Sequence, residues 1–194
     1  MKNLLTDLMS SIGSQNIKKI ANKSNIPKGK RTDLVTTGME VLLGSLSKNN
    51  KNFGSDNLLN ILKDHKNNLN NVDGILEGTI KKDGGKILEH ILLGEKDKVI
   101  DKLAKVKNID QKQAGELLQN IAPILMGSLS KKFSNTNNDS GILGNVLDSF
   151  YKDSIQKGNS NSFLKILDFD NDGEISDNIG TIMSWIKKLF PSKK

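Results

Sequence analysis

The chain repeats itself at a spacing of 83 residues. The run Gly44-Ser45-Leu46-Ser47-Lys48 recurs as Gly127-Ser128-Leu129-Ser130-Lys131. Without a gap, Ile17 falls on Ile100, Ile20 on Leu103, Ala21 on Ala104, Asn25 on Asn108 and Ile26 on Ile109. Leu34 and Val35 fall on Leu117 and Leu118, and Val41 and Leu42 on Ile124 and Leu125. Charges are not kept: Lys18 falls on Asp101, Arg31 on Ala114 and Glu40 on Pro123. What persists is an apolar pattern, so the expectation is an internal duplication of a short helix, a turn and a long apolar helix. The two units should pack on each other and build the core.

A chain of 194 residues can bury such a core, but only 4% of it is aromatic. Leu, Ile, Val, Met and Ala must therefore fill it. Three prolines and little period-two alternation predict an all-α fold, a compact multi-helix domain of two duplicated units followed by a C-terminal calcium-loop hairpin. The expected divisions are a helical domain over 1–156 (units about 1–66 and 84–156), a linker at 157–162, and a loop with a terminal amphipathic helix over 163–194.

Within the first unit the pattern predicts helices over Asn3–Ile12, from Ser14 as N-cap, and from about Lys28 to Ser47. In the second, Asp110 and Gln113 have capping-box spacing, and Pro123 should bend or interrupt the long helix. Between the units lie Ser55–His65 and two short apolar segments separated by Asp83-Gly84-Gly85. Gly141–Ile155 reads as a further helix.

The net charge is +7, which raises the question of an anionic partner. Arg31 is the single arginine, however, and the lysines are spread along the whole chain among asparagines, the pattern of a solvated surface. No cysteine is present, which excludes disulfides, thiolate zinc and cysteine nucleophiles. The opening MKNLLTDLMSSIG lacks signal-peptide character, and no apolar run approaches the ~20 residues of a membrane span. The expectation is a cytoplasmic protein, with a membrane role disfavoured. No nucleophile elbow, P-loop, dinucleotide fingerprint or zinc-protease motif occurs. His65 and His90 stand isolated and read as surface or helix-terminal residues. A non-enzyme is expected.

The sharpest chemistry is in DFDNDGEISDNI, from Asp168 to Ile179. Asp168, Asp170 and Asp172 occupy positions 1, 3 and 5 of an EF-hand-like loop, and Gly173 takes position 6. Alternate carboxylates on a tightly turning loop converge on one centre, and calcium takes six to eight hard oxygens. Glu174 would contribute its backbone carbonyl, and Asp177 is the nearest carboxylate to close the site, because Ile179 stands where a bidentate Glu is usual. One calcium ion held by Asp168, Asp170, Asp172, Glu174 and Asp177 is the expectation. The competing reading is a solvated acidic turn, with Asp177 as N-cap of the closing helix. That helix, Asn178–Phe190, carries Ile179, Ile182, Met183, Ile186, Leu189 and Phe190 on one face and is expected to dock on the core.

The run AGELLQNIAPILMGSLSK, with Gln113-Ala114, Leu117-Leu118, Ala122-Pro123 and Met126-Gly127 at matching places, resembles the bacterial YidB-like domain family of unknown function. The DxDxDG-containing tail with its hydrophobic helix is similar as well. The resemblance implies an all-helical fold and favours the calcium loop; it implies no activity. The functional expectation is a non-enzymatic helical protein that holds one structural calcium ion and acts through contacts with a protein partner. The alternative is nucleic-acid binding, in which the short-helix, turn, long-helix units act as helix-turn-helix elements and Lys18, Lys19, Lys23, Lys98, Lys102 and Lys105 form one positive face.

Overall fold

The computed structural model describes residues 4–78, 84–133, 140–156 and 162–169. Two long helices lie at its centre, α3 (Arg31–Phe53) and α8 (Gln111–Phe133). Around them pack α1 (Leu4–Ile12), α2 (Ser14–Lys23), α4 (Ser55–Lys63), α5 (Val72–Glu77), α6 (Gly84–Leu92), α7 (Lys96–Lys107), α9 (Ser140–Gln156) and α10 (Ser162–Leu167). Short 3₁₀ turns at Lys28–Lys30 and Asn68–Asn71 lead into α3 and α5. The described residues form no strand, so the all-α expectation holds.

The central helices begin amphipathic and become buried on every side along their middles. Every residue from Ile121 to Ser130 is buried, as is every residue from Val41 to Ser47. A helix apolar on every face stays in water only as the middle of a bundle. Three of the four serines of the repeated pentapeptides fit this setting by bonding to their own helix. Ser45 donates its hydroxyl to the Val41 carbonyl (2.9 Å), Ser47 to Leu43 (2.8 Å) and Ser128 to Ile124 (2.9 Å). Each is a bond back to the preceding turn, which removes the cost of a buried hydroxyl.

The repeated glycine serves close approach. A Cβ at Gly44 would lie 2.9 Å from the Phe163 ring and 3.0 Å from Leu167, both on α10. A Cβ at Gly127 would lie 2.7 Å from Asn68 Cβ and 3.1 Å from the Leu69 nitrogen. Each long helix thus accepts a short segment at its glycine. The two helices meet at Gly38, where a Cβ would come within 2.6 Å of Ile121 Cδ1. Gly38 and Ile121 are themselves 83 residues apart.

The turns before the long helices are built alike. Asn25 and Asn108 both take left-handed backbone, φ 55° and 49°, a conformation that asparagine tolerates better than most residues. Ile26 N–H then donates to the Ala21 carbonyl (2.9 Å) and Ile109 N–H to that of Ala104 (3.1 Å). The turns also exchange bonds. Gln113 Nε2 donates to the Asn25 carbonyl (2.7 Å), and Lys30 Nζ donates to the Asn108 carbonyl (3.0 Å). Both pairs of partners, 30 with 113 and 25 with 108, keep the spacing of 83.

Three local expectations need revision. Gly13 (φ 80°), not Ser14, occupies the N-cap of α2, and Ser14 is its first helical residue. The first long helix starts after a 3₁₀ turn, at Arg31 without a side-chain cap, and runs on to Phe53. Pro123 does not interrupt α8, which continues to Phe133. Lacking an N–H, Pro123 leaves the Gln119 carbonyl without its usual helical donor. Gly84 at the start of α6 lies so close over that carbonyl that a Cβ would overlap its oxygen. The Pro123 carbonyl accepts from Asn68 Nδ2 (2.8 Å). The irregularity is absorbed by neighbours. The capping box forms as expected, with Gln113 N–H donating to Asp110 Oδ1 (2.6 Å) and Asp110 N–H to Gln113 Oε1 (3.3 Å).

The short helix α10 belongs to the same core. Phe163, Leu164, Ile166 and Leu167 are all buried with the residues of the central helices, and Phe163 stacks on Phe150 of α9 with centroids 6.1 Å apart. The connecting stretch 134–139 and residues 157–161 of the expected linker lie outside the described residues.

Gly127→Ala should destabilise the fold by roughly 1–3 kcal/mol, because the added methyl meets backbone and a buried Asn68 rather than a movable side-chain end. Gly29, with nothing within 4 Å of its would-be Cβ, is the control, and its alanine variant should melt with or above the parent. Thermal unfolding followed by circular dichroism checks both; equal melting temperatures would refute the close-approach argument.

Candidate functional site

Of the five acidic residues expected to hold calcium, Asp168 is within the described residues; Asp170, Asp172, Glu174 and Asp177 lie outside them, as does Asn178–Phe190. Asp168 follows α10, its N–H donating to the Leu164 carbonyl (2.9 Å). Lys102 of α7 donates its ammonium to the Asp168 carbonyl (2.7 Å). The next side chain, Phe169, has the Lys98 ammonium 5.4 Å and the Lys48 ammonium 6.0 Å from its ring centroid, within reach of a cation–π attraction. Lys98 is also ion-paired with Glu95 (2.8 Å). The start of the acidic stretch is therefore fixed to α3 and α7 by buried apolar side chains and three lysines. The donor chemistry suits calcium, being carboxylate and carbonyl oxygen throughout. Among the described residues no group of three His, Cys, Asp or Glu is placed to hold a metal ion.

A second feature escaped sequence reasoning. An open groove of about 190 Å³ runs between α4 and α6, over Leu46 of α3 and Met126 of α8. Leu58, Ile61, Ile87 and Ile91 make its walls, and His65, His90 and Lys86 also line it. The chain has two histidines, and both are here. They are 25 positions apart, with no spacing that signals a shared site; helix packing brings them together. His65 is oriented from behind. Asn68, almost fully buried, points its amide nitrogen at the Pro123 carbonyl (2.8 Å) and at His65 Nδ1 (3.2 Å).

Among the described residues, the half-buried carboxyl with a resolved perturbation is Glu40 on α3. Burial pushes its pKa above the ordinary 4.5, the Lys107 ammonium pulls it back and Asp33 pushes it up. Lys107, only 12% exposed, bridges to Asp33 at 3.0 Å. This cluster sits where the end of α7 meets α3 and contains no nucleophile. Its role is electrostatic.

Three of the six lysines named for a nucleic-acid face are paired with acids. Lys19 pairs with Asp73 (2.7 Å), Lys98 with Glu95, and Lys105 with Asp101 (2.7 Å). The Lys105 ammonium beside Asp101 holds that carboxyl below its usual range. The helices that would have to enter a DNA groove, α3 and α8, are the buried centre of the fold. No helix among the described residues is long and apolar enough to cross a membrane.

The Glu40 shift has a definite sign. A carboxyl with a raised folded pKa binds its proton more tightly when folded, so it favours the fold below about pH 4.5 and loses that contribution as pH rises through its folded pKa. Glu40→Gln should accordingly raise the melting temperature at pH 7 and give no gain below pH 4.5. A pH series of melts checks it, and a gain that is independent of pH would overturn the assignment.

No curated protein and no solved structure matches the chain. A family model does, over residues 6–132, which span α2 to α7 and most of α1 and α8. That stretch contains α3, nearly all of α8, both asparagine turns and the whole groove. The chain thus belongs to a family of bacterial proteins of unknown function, DUF937.

Proposed function

We propose that this chain is a non-enzymatic helical protein that acts by binding, and that its C-terminal acidic loop takes one calcium ion. The observation that carries the calcium reading is the fixed start of the loop. Asp168 and Phe169 leave the fold from a helix whose apolar side chains are buried against Gly44. A loop with a fixed start has less chain entropy to lose when carboxylates converge on an ion. Asp168, Asp170, Asp172 and Asp177 would supply side-chain oxygens and Glu174 its carbonyl, with Ile179 weakening the set at the usual bidentate position. The ion would neutralise clustered carboxylates and order the loop; α10 would carry that order into α3 and α7.

The correspondence at 83 residues is, on this reading, an internal duplication. The like turns at Asn25 and Asn108 and the reciprocal bonds of Lys30 and Gln113 support it. So does the Gly38–Ile121 approach, since a position meeting its own equivalent is what a two-fold relation requires. Pairing of three of the six named lysines and burial of the middles of α3 and α8 leave the nucleic-acid alternative without a specific supporting observation.

Titration calorimetry of the full chain with calcium tests the metal reading, with one ion per chain expected. At calcium concentrations ~100-fold above the dissociation constant, the fold should gain about 2.7 kcal/mol and chelator should lower the melting temperature. The variant D170N/D172N should abolish both effects. Absence of heat, together with melting unchanged by chelator, would refute calcium binding.

A further inference from the structure

We propose that the groove between α4 and α6 binds one single-chain amphiphile with an anionic head, of the medium-chain carboxylate class. Its walls are hydrocarbon, with Ile61 and Ile87 facing across it and Leu46 and Met126 beneath. A methionine floor adapts to irregular apolar shapes. Among the described residues, the polar side chains that line it are Lys86, His65 and His90, with no carboxylate. An apolar trough whose polar groups are cationic or N–H donors matches a hydrocarbon tail ending in an acceptor anion.

The donor character of His65 is set in advance. Asn68 must turn its amide nitrogen, not its oxygen, toward the Pro123 carbonyl, which only accepts (2.8 Å). The same nitrogen lies 3.2 Å from His65 Nδ1, which in the neutral ring then accepts and leaves the proton on Nε2. Pro123 thus fixes Asn68, and Asn68 fixes the tautomer of a groove residue. Size selects a small ligand. A cavity of ~150 Å³ takes benzene, and drug-sized sites begin at about 300 Å³. The 190 Å³ here is suited to a short acyl chain. None of the groove residues named here is a proposed calcium ligand, so this inference does not rest on the calcium reading.

Titration calorimetry of the full chain with decanoate is expected to give saturable binding of one molecule per chain. Shortening the ligand to octanoate and hexanoate should weaken binding about fourfold per methylene removed. Decyltrimethylammonium, with the same tail and a cationic head, should bind at least tenfold more weakly. Ile87→Asp should abolish decanoate binding, and Lys86→Glu should reduce it about tenfold or more. Equal binding of the cationic amphiphile, several molecules per chain, or unchanged binding by a folded Ile87→Asp protein would overturn the proposal. Should Ile87→Asp fail to fold, Lys86→Glu and the chain-length series still decide. Decanoate binding that arises only in the I182D/I186D protein would assign the groove to the chain's own C-terminal segment and likewise overturn it.

Discussion

The crossing of α3 and α8 is the contact on which the rest depends. Gly38 lets Ile121 approach, and each helix is then enclosed by neighbours along its middle. Because neither has a face left for solvent along its middle, the other elements act as covers for one or both of them. The repeated pentapeptide states the rule in miniature. Glycine admits a cover, leucine fills the core, and serine returns its hydroxyl to its own helix so that a narrow side chain leaves nothing unsatisfied. Gly44 receives α10, and Gly127 receives the Asn68 turn.

Those two covers explain where chemistry can be placed. At Gly44 the cover carries the chain out to Asp168, so that the acidic stretch begins from a rigid point bordered by Lys48, Lys98 and Lys102. At Gly127 the cover brings Asn68 onto the Pro123 carbonyl and His65 onto Asn68. Pro123 is the asymmetric element. Glu40 stands at the matching place in α3, half-buried with a raised pKa. The two corresponding positions thus differ in chemistry: one is a proline whose carbonyl holds Asn68 behind the groove, and the other is a carboxyl close to Lys107 and Asp33. A shared apolar frame tolerates such divergence because its packing does not depend on the polar residues that differ.

Much of the frame was legible beforehand. Helix pairs, the asparagine turns, the capping box at Asp110 and Gln113, and the buried apolar positions of α3 and α8 follow from local periodicity and turn chemistry, which act over a few residues. That Pro123 does not interrupt α8 has a tertiary reason. A proline weakens a helix by orphaning an acceptor and crowding the preceding turn, but Gly84 and Asn68, 39 and 55 residues away, close around the defect. Isolated in sequence, His65 and His90 gave no sign that they share a groove.

The sequence by itself determined an all-helical fold, its two long apolar helices, the absence of cysteine chemistry and a carboxylate spacing that fits calcium. These are properties of residue type and short spacing. Tertiary structure alone decided that Gly38 meets Ile121, that α10 seals the core and anchors the acidic stretch, and that two distant histidines face a single apolar trough. The physical reason is that helix packing joins residues through shape and burial, and neither is encoded in the distance along the chain.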